Sequence, residues 1–315
     1  MSLIRRIPIP MAALALGTAA LGNLLLPYSP VVRAVCGVIA AVLVALVAAR
    51  IALDLPGVRK ELANPAVLAV SPTFFMALMV LATYLKPYAA GPAKGLWFAA
   101  LALQLLLVAV FLTRHVVSFK LAAVMPGWFL VFVGFVVASV TSPAFDAAPL
   151  GRAFVWAGMV GYLAILPVVI YRLVKHGDLP ALALPTVAIF AAPPSLLLAG
   201  YLSVMQVKQP IVVYALLAMA AASLLYVATR LPRILANSFC PSCASLTFPF
   251  VISAIALKLS SGYLATTTAG SFIPKLAVMA MDGFATLMVL YVLVRYALML
   301  ATPAEEKAAV ATAGV

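Results

Sequence analysis

Along the chain, apolar residues run in blocks of about twenty, separated by short stretches that gather Pro, Gly, Lys and Arg. A bilayer core about 30 Å thick is crossed by about 20 residues of α-helix. Ten such blocks lie near 8–27, 31–53, 66–86, 95–118, 121–141, 150–174, 181–205, 211–231, 243–260 and 276–301. Most are apolar all round, as helices surrounded by lipid or by other helices are. Runs such as Val38 to Ala52 do not alternate, which excludes the strands of a membrane β-barrel. Backbone groups in lipid must be satisfied within the segment, so the element that fits is the helix. The first block, behind Arg5 and Arg6, has the layout of a signal peptide. It continues to Leu26 without a convincing small-residue cleavage site and is read as a retained span.

The expected fold class is an all-α polytopic membrane protein, one transmembrane domain over 1–315. Proline refines this, because inside a helix it deletes a hydrogen bond and clashes with the preceding turn. Every odd-numbered block carries it, as Pro8 and Pro10, Pro72, Pro126, Pro193 and Pro194, and Pro249. Among the even blocks only the sixth does, at Pro167. Pro10, Pro72, Pro126, Pro193 and Pro249 are separated by 62, 54, 67 and 56 residues. The spacing predicts five helical hairpins, near 1–53, 66–118, 121–174, 181–231 and 243–301.

Small and hydroxyl residues let helices approach closely and supply interhelical hydrogen bonds. The odd blocks hold Gly17 and Thr18, Thr73, Gly134 and Ser139, Ser195, Gly200 and Ser203, and Thr247 and Ser253. Each alone reads as packing. Their recurrence with the prolines predicts an inner ring of bent odd helices around a central path, with even helices outside. Gly17, Thr18, Ser139, Ser195, Thr247 and Ser253 are the candidate lining residues.

Composition closes off other classes. Of 315 residues, 67% are hydrophobic and 9% charged, against about 45–50% and about 25% in soluble domains. A water-soluble enzyme is excluded. The net charge of +13, from 20 Lys+Arg against 7 Asp+Glu, would point to nucleic acid in a soluble protein. Here the bases fall between apolar blocks, as membrane-flanking anchors do, and no nucleic-acid partner is expected. One side collects Arg5, Arg6, Arg50, Arg59, Lys60, Arg114, Lys120, Arg172, Lys175, Arg230, Arg233, Arg295 and Lys307. The other has Arg33, Lys86, Lys94, Arg152, Lys208, Lys258 and Lys275. The richer side is read as cytoplasmic, with both termini on it and the chain in the cell (inner or plasma) membrane. Trp97, Trp156, Tyr28, Tyr84, Tyr88 and Tyr263 then fall near the outer interface.

The chemistry-bearing residues are few. Cys36, Cys240 and Cys243 make no disulfide framework. Phe239-Cys-Pro-Ser-Cys243 has CxxC spacing without a second CxxC or a nearby His, so no metal site is expected. An intramembrane enzyme would need paired carboxylates, a metal cluster or a Ser/His arrangement. No HExxH or GxSxG occurs, and His115 and His176 lie at block ends. Neither an enzyme nor a cofactor is expected. Ionisable residues within spans mark ion or proton routes, and the central thirds of these blocks hold almost none. Asp282 and Lys258 sit near the outer ends of the tenth and ninth blocks, where Asp282 reads as a cap or an ion-pair partner. A path without carboxylates, with bases at both mouths, favours small anions.

Four segments carry a resemblance. They are Ile7-Pro-Ile-Pro-Met-Ala-Ala-Leu-Ala-Leu-Gly-Thr-Ala-Ala-Leu-Gly-Asn23, Pro126-Gly-Trp-Phe-Leu-Val-Phe-Val-Gly-Phe-Val-Val-Ala-Ser139, Ala192-Pro-Pro-Ser-Leu-Leu-Leu-Ala-Gly-Tyr-Leu-Ser203 and Leu246-Thr-Phe-Pro-Phe-Val-Ile-Ser253. In register with the hairpin repeat, they make the chain resemble the tellurite-resistance/dicarboxylate transporter family. That family includes bacterial TehA, fungal malate permeases and sulfite exporters, and plant slow anion channels. The resemblance implies ten helices as five hairpins, pseudo-five-fold about a central pore, usually in a homotrimer. It also implies a phenylalanine plug on the ninth span, at Phe248, or at Phe250 if the register slips by two. Anions would be met by hydroxyls such as Ser139, Ser195 and Thr247 and by positive surroundings, rather than by a dedicated arginine. The implied activity is a gated channel or facilitator for inorganic anions, dicarboxylates, tellurite or sulfite. The alternative is a proton-coupled malate or succinate carrier, with Asp282 as its nominee for coupling. The first span departs from the pattern, with Ala15 where some TehA-like members have a mid-helix proline.

Overall fold

The computed structural model describes residues 2–177, 179–267, 270 and 272–302, and every regular element among them is helical. Asp178, Glu305, Glu306 and Lys307 lie outside the described residues. The main elements are α1 (Met11–Leu25), α2 (Pro30–Leu53), α3 (Pro65–Leu85), α4 (Ala90–Val116) and α5 (Trp128–Phe132 continued by Gly134–Phe145). They are followed by α6 (Ala148–His176), α7 (Leu184–Val204), α8 (Pro210–Ala236), α9 (Pro241–Ala265) and α10 (Lys275–Ala301). Eight of these helices are long and apolar enough to cross a membrane; α1 and the Gly134–Phe145 part of α5 are apolar but shorter.

Burial separates two layers. In the most apolar windows of α3, α7 and α9, 61%, 94% and 72% of residues are buried. In α2, α4, α6, α8 and α10 the share is only 22% to 33%, although these helices are at least as apolar. Water would penalise such exposed apolar faces heavily, whereas lipid does not. Packing has the same order. α1 packs on α3, α3 on α5, α5 on α7, α7 on α9, and α9 returns to α1. Each even helix lies outside, seated on its own odd partner and on the next odd element, and α10 rests on α9 and α1.

The prolines act differently from simple kinks. α3 is interrupted at Ser71, with Pro72 in the first turn of the helix that resumes. α7 opens as a 3-10 helix over Leu184–Ala191 and becomes α-helical at Ala192, with Pro193 and Pro194 in that first turn. α9 repeats the device, with a 3-10 stretch Pro241–Leu246 and an α-helix from Phe248 that takes Pro249 in its first turn. A first-turn N–H has no intrahelical acceptor, so proline loses nothing there and its fixed φ starts the helix. Pro10 and Pro126 precede the helical parts of α1 and α5 rather than bending them. The break in α5 falls instead at Val133, where φ is −128° and a 3-10 turn over Gly134–Val136 follows. Pro167 and Pro232 lie inside continuous outer helices, α8 running on to Ala236.

Beside the start of α1, Arg50 is buried but compensated. Its Nε lies 2.9 Å from Asp54 and an Nη lies 3.8 Å from Glu61, and its guanidinium donates to the carbonyls of Arg5 and Ile7. Glu61 accepts from the Ile9 amide at 3.0 Å, so the short helix Leu55–Leu62 is tied to the turn that opens α1. Trp97 is packed inside the protein rather than on its outer face. It is fully buried and donates from Nε1 to Thr141 Oγ1 at 2.7 Å, whereas Trp156 and Tyr88 are exposed.

Candidate functional site

A cavity of about 410 Å³ lies inside the ring and is lined by all five odd elements. α9 supplies Phe248, Ile252, Ile255 and Leu259, one face of the helix at spacings of four, three and four residues. At 1.5 Å per residue this face spans roughly 16 Å, with Phe248 at its deep end. α1 contributes Ala20 and Asn23, α3 contributes Val80 and Thr83, and α7 contributes Leu196 and Ser203. α5 adds Val137, Val140, Thr141 and Ala144, and Leu26 and Arg33 stand at the end where α1 turns into α2. Among the described residues, no carboxylate lines the cavity.

Phe248 and Phe250 face different ways. Phe248 lines the cavity. Phe250, two residues on, is also buried but meets Phe284 of α10 edge to face, with ring centres 5.0 Å apart. A two-residue step turns about 200° around a helix, which accounts for the split. Thr247, between the 3-10 and α parts, has φ −100° and ψ −78° and donates from Oγ1 to Ala13 O (3.1 Å) and Ala244 O (2.8 Å). A Cβ on Gly17 would come 2.9 Å from the Phe248 amide nitrogen. The backbone that carries Phe248 is therefore laid directly against α1.

The other nominated side chains occupy seams of the ring, and none of them lines this cavity. Ser139 Oγ donates to Gly151 O at 2.8 Å, toward α6. Ser195 and Ser253 meet across α7 and α9 at 3.0 Å, and Ser253 also reaches Pro249 O. Thr18 donates back to Leu14 O at 2.8 Å. Apart from Ser195, which is bonded to the Ser253 hydroxyl, these side chains give their hydrogens to backbone carbonyls, as buried Ser and Thr in helices commonly do. The polar lining comes instead from Asn23, Thr83, Thr141, Ser203 and Arg33.

Arg33, not among the candidate lining residues, stands on the cavity wall. Its Nε donates to Asn23 Oδ1 at 2.9 Å and its Nη2 to Thr83 O at 3.2 Å. The guanidinium carbon lies 4.2 Å from the centre of the Tyr84 ring, and the Tyr84 hydroxyl donates to Ala19 O. In the sequence Arg33 looks like any base flanking a span; the nearest signal was Asn23, a polar residue in the last turns of an otherwise apolar helix.

Two other groups are placed clearly. Asp282 is buried and paired with Lys258 at 2.9 Å; Tyr28 donates to the same oxygen at 2.9 Å. Neither Asp282 nor Lys258 lines the cavity. The Cys240 and Cys243 sulfurs are 3.8 Å apart and not bonded. Among the described residues, no group of three or more His, Cys, Asp and Glu is placed to hold a metal.

Comparison with known proteins completes the picture. A relative from Methanocaldococcus jannaschii, called an uncharacterized transporter, is 34% identical over 147 residues, which is 42% of this chain. The match spans 43% of that relative's length, so less than half of it is covered. The family model for voltage-dependent anion channels (SLAC1) matches residues 6–297, nearly the whole of the helical ring. By that match, and in keeping with its apolar outer helices and internal cavity, the chain belongs to the voltage-dependent anion channel family, whose members are multi-pass membrane transporters of anions.

Proposed function

We propose that the chain is a passive anion channel or facilitator whose path runs through the ring of odd helices and is closed by the Phe248 ring. The observation that carries this reading is the position of Phe248 at the deep end of a cavity lined by all five inner elements. An aromatic ring across an apolar constriction excludes water, and an anion entering it sheds hydration without replacement. Conduction then requires the ring to turn away. The 3-10-to-α junction at Thr247 puts Phe248 in the first turn of an α-helix, where backbone N–H groups have no intrahelical acceptor, and this is the joint at which α9 can bend. Helix starts carry partial positive charge. The starts of α1 at Met11 and of the α-helical part of α9 at Phe248 lie side by side through Thr247 and Ala13, which favours an anion beside the gate.

Inorganic anions, with dicarboxylates, tellurite or sulfite as further cargo, are the proposed substrates, and a homotrimer in the cell membrane with cytoplasmic termini is the proposed setting. The carrier alternative is weaker, because Asp282 is committed to Lys258 and Tyr28 away from the cavity. Reversal potentials in planar bilayers test the reading. Phe248→Ala should raise the anion current at least tenfold, with the reversal potential following the anion gradient. An unchanged current would remove Phe248 from the gate. A reversal potential that followed the proton gradient would favour the carrier.

A further inference from the structure

We infer that Arg33 is a recognition seat for an oxyanion at the end of the cavity where α1 turns into α2, an inference that rests on the cavity being the anion path. The first ground is charge. Arg50 is neutralised by Asp54 and Glu61, and Lys258 by Asp282. Arg33 is half-buried, and its hydrogen-bond acceptors are neutral, an Asn23 amide oxygen and the Thr83 carbonyl. Among the described residues, the cavity wall contributes no carboxylate to offset it. A charge removed from bulk water and left without a counter-charge draws an ion of opposite sign.

The second ground is that the guanidinium is held in place. It lies over the Tyr84 ring, and that ring is wedged between α1 and α2 where two glycines make room. A Cβ on Gly37 would come 2.5 Å from the ring, and a Cβ on Gly22 would collide with the Tyr84 hydroxyl. That hydroxyl is itself fixed by Ala19 O. The seat is built from three inner or adjoining elements rather than hung on a mobile chain.

The third ground is the donor inventory. A guanidinium has five N–H groups in a planar fork. Nε and one Nη2 hydrogen are spent on Asn23 and Thr83, which is the side edge of the fork. The end edge remains, with the Nη1 hydrogens and the second Nη2 hydrogen. Two parallel N–H groups match two oxygens of one nitrate, sulfite or carboxylate, and a spherical halide cannot use the pair as well. The seat therefore concentrates oxyanions above the gate and prefers them to chloride.

The test uses the full chain in planar bilayers, in a Phe248→Ala background, with sodium nitrate and sodium chloride. At about 10 mM salt the Debye length is about 30 Å, and at 1 M about 3 Å. Arg33→Gln should cut the nitrate current about tenfold at the low salt and leave it within about twofold at the high salt. Arg33→Lys, which keeps the charge but not the fork, should keep the low-salt current and lose the nitrate-over-chloride preference. A nitrate current unaffected by Arg33→Gln at low salt overturns the inference. So does an equal loss at both salts, which would mark Arg33 as a packing residue only. A Phe248→Ala background that passes no anions counts against the gate and leaves the seat to a second readout. In detergent, nitrate should raise the melting temperature of the wild-type protein more than equimolar chloride does. That difference should vanish in Arg33→Gln, and its absence from the wild type would sink the seat.

Discussion

At the scale of single residues, the site separates side chains that are adjacent in the sequence. Phe248 and Phe250 are the same residue type, two positions apart and both buried, yet one faces the cavity and the other faces α10. Their substitutions should therefore fail in different ways. Phe250→Ala removes an edge-to-face partner of Phe284 and leaves a hole at the α9–α10 contact, a cost of roughly 3–5 kcal/mol on the scale of buried aromatic truncations. The expected outcome is a melting temperature in detergent several degrees lower, with the closed-state current unchanged. A Phe250→Ala protein that conducted like Phe248→Ala would mean that either ring seals the path. Serines and threonines give the opposite lesson. Their hydroxyls look like pore chemistry in sequence, but the hydrogen of Ser139 goes to Gly151 and that of Thr247 to Ala13 and Ala244. A buried hydroxyl is most cheaply satisfied by a nearby carbonyl, and sequence does not show which carbonyl is near.

At the scale of elements, α3, α5, α7 and α9 are shorter helical pieces joined end to end, and the joints decide where the chain can deform. The α1–α9 joint is the tightest approach to the Phe248 backbone. Gly17 is needed there for its missing side chain, since an added Cβ would lie 2.9 Å from the Phe248 nitrogen and against Thr247. Gly17→Ala should force α1 and α9 apart at an overpacking cost of about 1–3 kcal/mol. It should lower thermal stability and raise the resting leak, because the displaced backbone is the one that carries the gate. Gly262→Ala, on the same α9 where an added Cβ meets nothing within 4 Å, is the control and should be neutral or slightly stabilising. A Gly17→Ala protein with wild-type stability and leak would show that the joint is not under constraint. Much of this level was legible: block lengths marked the spans, and the recurring prolines marked which of them are irregular. What sequence could not say is that Pro72, Pro193 and Pro249 start helices rather than kink them, while Pro10 and Pro126 stand ahead of theirs. The two arrangements have the same residue order and differ only in whether one helix runs on through the proline or restarts at it, after a break at Ser71 for Pro72 and after a 3-10 stretch for Pro193 and Pro249. The break at Val133 carries no proline at all, and only Gly134 beside it gave a local sign.

At the scale of the whole molecule, the layering inverts the rule for soluble proteins, since the outer faces are as apolar as the core. That is why composition alone identified the solvent, and also why it could not find Arg33. A base at the start of a span is the ordinary anchor of a membrane helix, and only the closing of the ring places this one on the cavity. The same inversion gives a test of the outer layer. On α6, Val155, Gly158, Tyr162, Ile165 and Val169 are buried, whereas Val160 and Leu163, near the middle of the helix, are 70% and 56% exposed. If that face meets lipid, an arginine there is placed at the depth where insertion costs about 2.5–3.5 kcal/mol. Leu163→Arg should then reduce the membrane-integrated fraction severalfold, measured by alkaline extraction of membranes. Leu163→Ala, which keeps an apolar surface, should integrate normally. If the face is wet, as it would be on a soluble helical protein, Leu163→Arg should integrate or fold as well as the parent. If it is covered by another copy of the chain, Leu163→Arg should still reach the membrane, stabilised by the neighbour's polar groups, and Leu163→Ala should instead weaken assembly on native gels. The three outcomes differ in which substitution fails, so one pair of variants reports what surrounds the outer helices.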